Sequence, residues 1–292
     1  MKRRNFGAIA LLLWTTTSAC GDPMKFAQEL EEERSLGVRV TNAAGEATVA
    51  AGDSGQIELL FGGPEGSEPL TVAYQLCPAA DSARGVPFCV DDPWIEGDVD
   101  FDGAPIDFTV PESDEGDTRL ALLAVACASG QPELADDPLD WSCSDGSDPI
   151  RLSFDAWTRG DEHKDLNPDL SEAFIAVDDE RLVLEAPTDP ATCDEGVLHV
   201  AAEKTHEFLF VLGENAREQV EFEGEEKELL QLSTFATAGL FDRQFTILEA
   251  EEEPRTRVEW EAPDKSGPVK IFLVVRDGRG GVTWITTSVC VE

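Results

Sequence analysis

Val258-Glu259-Trp260-Glu261-Ala262-Pro263, followed by Val269-Lys270-Ile271-Phe272-Leu273-Val274-Val275-Arg276 and then Asp277-Gly278-Arg279-Gly280-Gly281, decides the fold. In the first stretch apolar and acidic residues alternate, the period-two pattern of a strand with one wet face. The second is a nearly unbroken β-branched and aromatic run, the composition of a strand. The glycine-rich stretch after it tolerates positive φ and predicts a tight hairpin into Val282 to Val291. An antiparallel pair of long strands is therefore expected at the end of the chain.

Moving back from that hairpin, the same grammar recurs. Strands are expected at Ala173 to Val177, Arg181 to Ala186, Val197 to Ala201, Glu207 to Leu212, Phe241 to Leu248 and Thr256 to Glu261. Glu228 to Phe235 (ELLQLSTF) reads as a short helix crossing between sheets. Further upstream come Val38 to Thr41, Gln56 to Phe61, Leu70 to Leu76, Leu120 to Cys127 and Ile150 to Phe154. Clusters such as Gly62-Gly63-Pro64-Glu65-Gly66 separate them. No helix-length segments alternate with these strands, which excludes a parallel α/β architecture. The expectation is an all-β chain of two immunoglobulin-like antiparallel β-sandwich domains in tandem, at 37–158 and 172–292. The polar, proline-containing stretch 159–171 (RGDEHKDLNPDL and its flank) has linker composition.

The amino terminus reads as an export signal, 1–19. Lys2, Arg3 and Arg4 form a basic flank, Phe6 to Trp14 a short apolar core, and Thr15 to Ala19 a small-residue approach to Cys20. The apolar core is too short to span a bilayer. Thr17-Ser18-Ala19-Cys20-Gly21 resembles the lipobox of bacterial lipoproteins, although those usually carry Leu or Val where Thr17 stands. The resemblance implies that Cys20 is acylated and becomes the mature N-terminus, and Gly21 is similar to the residue found after the cysteine in lipoproteins sorted to an outer membrane. Several acyl chains anchor a protein stably where one does not. Residues 20–36 are then expected to be an acidic tether. With the lipobox, Asn167-Pro168, Leu229-Leu230-Gln231-Leu232-Ser233, Cys290 and the closing strands, the chain resembles bacterial lipoproteins of myxobacterial type with Ig-like or PKD-like sandwiches. That resemblance implies an exported Ig-like architecture and carries no activity.

Of the 7 cysteines, Cys20 is assigned to the anchor and the rest pair evenly. In an oxidising compartment disulfides are expected rather than a metal site, since no CxxC spacing is present. Spacing favours Cys77 with Cys89, Cys127 with Cys143, and Cys193 with Cys290, one choice among the connectivities open to these residues. The last closes a long loop, a constraint of about 4–5 kcal/mol in the chain-entropy picture against about 3 for the shorter loops.

The chain holds 60 acidic and 22 basic residues and carries a net charge of -38. Such a surface repels phosphate backbones, so nucleic acid is excluded as a partner. The expected partners are a membrane, through the lipid anchor, and an envelope protein or a glycan. With 3 histidines, catalytic constellations are scarce. Gly52-Asp53-Ser54-Gly55 looks like a protease nucleophile loop, but no histidine precedes it, and Asp-Ser-Gly is ordinary turn chemistry. His206-Glu207 begins like HExxH, but Phe210 stands where the second ligand belongs. Arg159-Gly160-Asp161 is a charged turn.

Two readings favour a ligand. Asp98, Asp100 and Asp102, followed by Gly103, resemble the start of a calcium loop. Against that, Pro105 interrupts the loop, Thr109 stands at the bidentate position, and alternation with Val99 and Phe101 equally fits a half-buried strand. Asp165-Leu166-Asn167-Pro168-Asp169 is a second acidic cluster, at the domain junction. Trp94, Trp141 and Trp157 lie in or near loops and could stack on sugars. The expectation is a non-enzymatic, lipid-anchored envelope protein, with calcium as the one conceivable cofactor. A glycan- or calcium-dependent adhesion module and an accessory subunit or degenerate hydrolase domain are the alternatives.

Overall fold

A computed structural model describes residues 29–49, 52–64, 70–81, 87–101, 103–111, 119–157, 165–182, 193, 197–218, 228–249 and 252–292. The first set of strands is β1 (Arg34–Asn42), β2 (Ser54–Gly62), β3 (Leu70–Asp81), β4 (Pro87–Cys89), β5 (Ile95–Phe101), β6 (Ile106–Thr109), β7 (Arg119–Cys127), β8 (Pro132–Glu133), β9 (Ser142–Cys143) and β10 (Ile150–Trp157). One sheet has the order β1-β2-β6. The other runs β10-β7-β3-β4, with β5 also on β3. Val40, Ile57, Val72, Leu120 and Leu122 meet between the sheets as a dry core. First, second and sixth strands in one sheet, with the hairpin-linked remainder in the other, is an Ig-like partition.

The second set is β11 (Phe174–Val177), β12 (Glu180–Leu182), β13 (Leu198–Val200), β14 (Thr205–Val211), β15 (Leu230–Ala236), β16 (Leu240–Phe241), β17 (Phe245–Leu248), β18 (Arg255–Glu261), β19 (Gly267–Arg276) and β20 (Val282–Val291). Its sheets are β12-β11-β14-β18-β16 and β13-β20-β19-β15-β17. β13 runs parallel to β20, the one parallel ladder among the described strands. On β18, Val258 and Trp260 point inward and the flanking glutamates outward, matching the alternation in the sequence. Phe208 and Phe210 of β14, with Trp260 and Phe241, fill the second core.

β19 explains why its sequence does not alternate. Val269, Ile271, Leu273 and Val275 face the core of their own sandwich. Phe272 and Val274 face the other way, into a separate apolar cluster with Leu30, Leu36 and Val282, against which Leu60 and Phe154 pack. The first module therefore covers the outer face of the second module's sheet, and a strand covered on both sides is apolar throughout.

Three expectations are corrected here. Glu228 to Phe235 does not form a crossing helix. Leu230–Ala236 is a central strand between β17 and β19, because Leu230, Leu232 and Phe235 find apolar partners on both faces of the sheet. The stretch 20–36 is not a tether throughout, since Leu30 is fully buried and its N–H bonds to the Ala236 carbonyl, 2.9 Å. β1 begins at Arg34 rather than Val38 because Leu36 also has a face of β19 to cover. Nor is 159–171 a solvated linker over its second half. Ala47 donates to the Asp165 carbonyl, 2.7 Å, and Leu166 forms a bridge with Glu46.

The structure forms the bonds Cys77–Cys89, Cys127–Cys143 and Cys193–Cys290, with Cα separations of 5.5, 5.9 and 5.5 Å. Cys77, Cys143, Cys89 and Trp141 lie on or beside the outer face of the β3–β7 pair, with Trp141 packed among Cys77, Leu123 and Val125. The third bond ties the segment before β13 to β20, so the parallel ladder has a covalent anchor at its edge.

Candidate functional site

The hairpin loop between β19 and β20 is the most heavily charged buried place among the described residues. Its shape comes from Asp277, whose Oδ1 accepts the backbone N–H groups of Arg279, Gly280 and Gly281 at 2.7, 3.1 and 3.0 Å. Gly278 has φ 80°, a conformation glycine adopts without penalty. Gly281 is required for space instead. A Cβ there would lie 1.9 Å from Asp277 Oδ2 and 2.6 Å from the Leu166 carbonyl. A side-chain-free position lets the loop sit directly on the segment that joins the modules.

From that loop Arg279 reaches into three carboxylates. Its Nη2 is 2.7 Å from Asp165 Oδ1, 2.6 Å from Glu218 Oε2 and 2.7 Å from Glu228 Oε1, and its Nε donates to Glu228 at 2.9 Å. The Asp165 and Glu228 side chains are 1% and 3% exposed, so this is not a surface ion pair. Burial works against the charge on Arg279, but Asp165, Glu218 and Glu228 together outweigh it and hold the guanidinium above its usual pKa. Asp277 has the opposite problem. Burial, reinforced by Asp165 and Glu228 against the loop's N–H donors, pushes its carboxyl up to about 7. Asp165 and Glu228 contribute to both shifts, but burial drives the one on Asp277 and opposes the one on Arg279.

Asp165, Glu218 and Glu228 are also the one carboxylate trio among the described residues with oxygens close enough together to share a cation. An arginine nitrogen sits at their centre, so the positive charge the trio needs is supplied by the chain itself. Beside it, Asn167 clips the modules together. Its Nδ2 donates to the Val40 carbonyl at 2.9 Å and lies 3.2 Å from Thr41 Oγ1, while its Oδ1 accepts the Val282 N–H at 2.9 Å. One amide side chain thus joins β1 to β20.

The acidic cluster 165–169 therefore gathers part of a site, though Asp169 takes no part: its carboxylate accepts the Ser171 N–H instead. Of the expected calcium loop, Asp98 and Asp100 stand on a strand rather than in a loop. Asp98 and Asp100 are exposed on β5, paired in register with β3. Alternate residues of a strand stand roughly 6.6 Å apart, too far for their carboxylates to converge as a loop would bring them; Asp102 lies outside the described residues. Trp141 is buried and donates to the Ala135 carbonyl, 2.8 Å, so it offers no face to a sugar. Trp94 packs against the first core, and the Trp157 side chain lies outside the described part. Ser54 Oγ faces Thr109 Oγ1 across the ladder, 3.1 Å. His206 is buried with Nδ1 on Asp178, 2.6 Å, and Nε2 on the Ala201 carbonyl, 2.8 Å, leaving no ring nitrogen open to a substrate. His163 and Arg159-Gly160-Asp161 lie outside the described residues, as do Cys20 and the signal segment.

Sequence reading placed Arg279 in a turn and missed its partners. The available signal was an arginine inside a glycine-rich hairpin of a very acidic chain, but which carboxylates meet it depends on segments more than 50 residues away.

No family model and no curated protein matches the chain. Among solved structures it is similar to the D0-D1 domain of Intimin, with a TM-score of 0.23 and 8% identity, over 89% of this chain and 99% of that one. At that similarity the likeness carries no argument, and the Ig-like assignment rests on strand order. Among the described residues no helix is long and apolar enough to cross a membrane.

Proposed function

We propose that this chain is a non-enzymatic, lipid-anchored protein of the cell envelope, held through Cys20, whose two Ig-like modules act as one interlocked unit that binds or organises an envelope protein or a glycan. The observation that carries this reading is the grip of Arg279 on Asp165, Glu218 and Glu228 beside the Asn167 clip. Arg279 fastens the second sandwich to the segment that joins the modules, and Asn167 bonds both β1 and β20, an arrangement that would hold the modules in one relative orientation as a spacer or presenting scaffold needs. Leu30 supports the same reading. It docks at the junction, and Cys20 lies about 10 residues upstream, so an acylated Cys20 would hold the modules within about 35 Å of a bilayer.

Metabolic labelling with a clickable fatty acid tests the anchor. The chain is expected to take up label and enter the detergent phase, and Cys20→Ser to do neither; an unlabelled, water-soluble wild-type chain would remove the reading. Crosslinking in the native envelope then identifies the neighbour.

A further inference from the structure

β17 is the last strand of its sheet, with β15 on one side of it and no described strand on the other. Other outer strands carry exposed charges, Asp107 on β6 and Glu180 and Arg181 on β12. Such side chains keep an open edge from pairing with a further strand. β17 reads Phe-Thr-Ile-Leu, with no charge and no proline. Leu248 points into the core, and strand alternation turns Phe245 and Ile247 the other way, where they stand 53% and 41% exposed. The cluster by which the first module covers this face of the sheet at β19 contains no residue of β17.

The backbone of this edge is open as well. Leu230 lies across from Leu248 and Ser233 from Phe245, and the Thr234 N–H bonds to the Gln244 carbonyl at 3.3 Å. Hydrogen-bonded pairs alternate along an antiparallel ladder, so Gln244, Thr246 and Leu248 turn their backbone groups toward β15. Phe245 and Ile247 therefore direct theirs outward.

At alternate positions 243, 245, 247 and 249 stand Arg, Phe, Ile and Glu, an order complementary to its own reverse. A second copy laid antiparallel, with a two-fold axis at Thr246, sets Phe245 of one chain opposite Ile247 of the other and Arg243 opposite Glu249. Phe245 and Ile247 then exchange both backbone hydrogen bonds, as their outward direction requires. A register shifted by two residues would put Phe245 opposite Glu249, or Arg243 opposite Ile247. Glu249 has no ion-pair partner among the described residues. Arg243 meets its neighbour Asp242 at 3.0 Å, which leaves donors of its fork for a second carboxylate.

We propose that two copies of this chain associate edge to edge through β17, joining their β13-β20-β19-β15-β17 sheets across a two-fold axis. One patch serves both chains, as closed symmetry demands, and cross-strand apolar and opposite-charge pairs fix the register. The net charge of -38 opposes the approach. At physiological ionic strength that repulsion is screened beyond about 8 Å, and the edge itself brings opposite charges together. The proposal is independent of the lipid anchor.

Sedimentation of the full chain carrying Cys20→Ser, so that acyl chains play no part, tests it at about 0.1 mM, where a micromolar dimer is largely formed. A dimer is expected. Ile247→Lys, at an exposed position, is expected to give a monomer with an unchanged melting temperature. Arg243→Glu and Glu249→Arg should each weaken the dimer, and the two together should restore it. Thr246→Cys meets its own copy at the axis in a non-hydrogen-bonded pair, with Cα atoms about 4.5 Å apart, within disulfide reach. It should give a covalent dimer on a non-reducing gel, and Glu133→Cys, on an exposed position of the first module, should not. A wild-type monomer would overturn the proposal. Fast maleimide labelling of Thr246→Cys in that monomer would leave the edge to a strand of another protein, and slow labelling would give it to another part of this chain. A dimer that survives Ile247→Lys, or one that Thr246→Cys does not crosslink, would overturn it too, because another surface would then hold the copies together.

Discussion

Arg276 donates to the backbone carbonyl of Leu36 at 2.6 Å, a contact between residues 240 apart in sequence. Leu36 stands near the start of the first module and Arg276 at the end of β19 in the second, so this bond closes almost the whole described chain on itself. It lies between the Arg279 cluster and the apolar patch around Phe272. The junction thus combines dry packing, a backbone-directed cation and a buried charge network.

Replacing Arg279 with Met should leave Asp165 and Glu228 buried without their cation. The expected loss is about 3–5 kcal/mol of stability, read from urea denaturation. Arg279→Lys should recover only part of it, because a single ammonium cannot reproduce the fork that serves three carboxylates. A variant as stable as wild type would show that the network contributes nothing.

The stability should depend on pH through Asp277. Its folded pKa, about 7, lies above the ordinary 3.8. The folded state therefore keeps a proton that the unfolded chain releases, and the contribution of this group is present below about pH 4, declines as pH rises toward 7, and levels off above it. The slope should approach 1.4 kcal/mol per pH unit within that window. Asp277→Asn should flatten the difference, measured by denaturation across pH 4 to 8.

Leu30→Ala should cost about 2–5 kcal/mol, as for other fully buried leucines, although this residue lies outside both sandwich cores. The loss should be accompanied by faster proteolysis between the modules. A neutral outcome would mean that the segment before β1 is only a tether.

Selective reduction should separate the disulfides by loop length. Cys193–Cys290 closes 97 residues of sequence, against 12 and 16 for the other two. In the chain-entropy picture its loss should cost about 4–5 kcal/mol, and each of the others about 3. Melting of Cys→Ser pairs provides the comparison.

Much of the fold was legible because β-sandwiches write their period into the chain. Val258 and Trp260 alternate with glutamates, Phe208 and Phe210 alternate on β14, and the glycines after Arg276 mark a hairpin. Glu228 to Phe235 misled because Glu-Leu-Leu-Gln-Leu carries helix-favouring residues. Ladder partners on β17 and β19 override that local preference, and no window of sequence contains them. Asp98 and Asp100 misled in another way: acidic residues at alternate positions describe a calcium loop and a half-wet strand equally well, and only pairing with β3 separates the two.

The candidate site was hardly legible at all. Asp165 and Asn167 stood out only as part of an acidic cluster at the domain junction, while Glu218 and Glu228 looked like two more acids in an acidic chain, and Arg279 like turn punctuation. By itself the sequence determined the strands, the turns and the cysteine spacings, because periodicity, glycine conformation and short loops are local properties of a chain. Only the tertiary structure decided that one module covers the back of β19 and that three carboxylates from outside the hairpin converge on a single arginine. Electrostatic energy depends on distance and burial, and both are set by the packing of residues that are far apart along the chain.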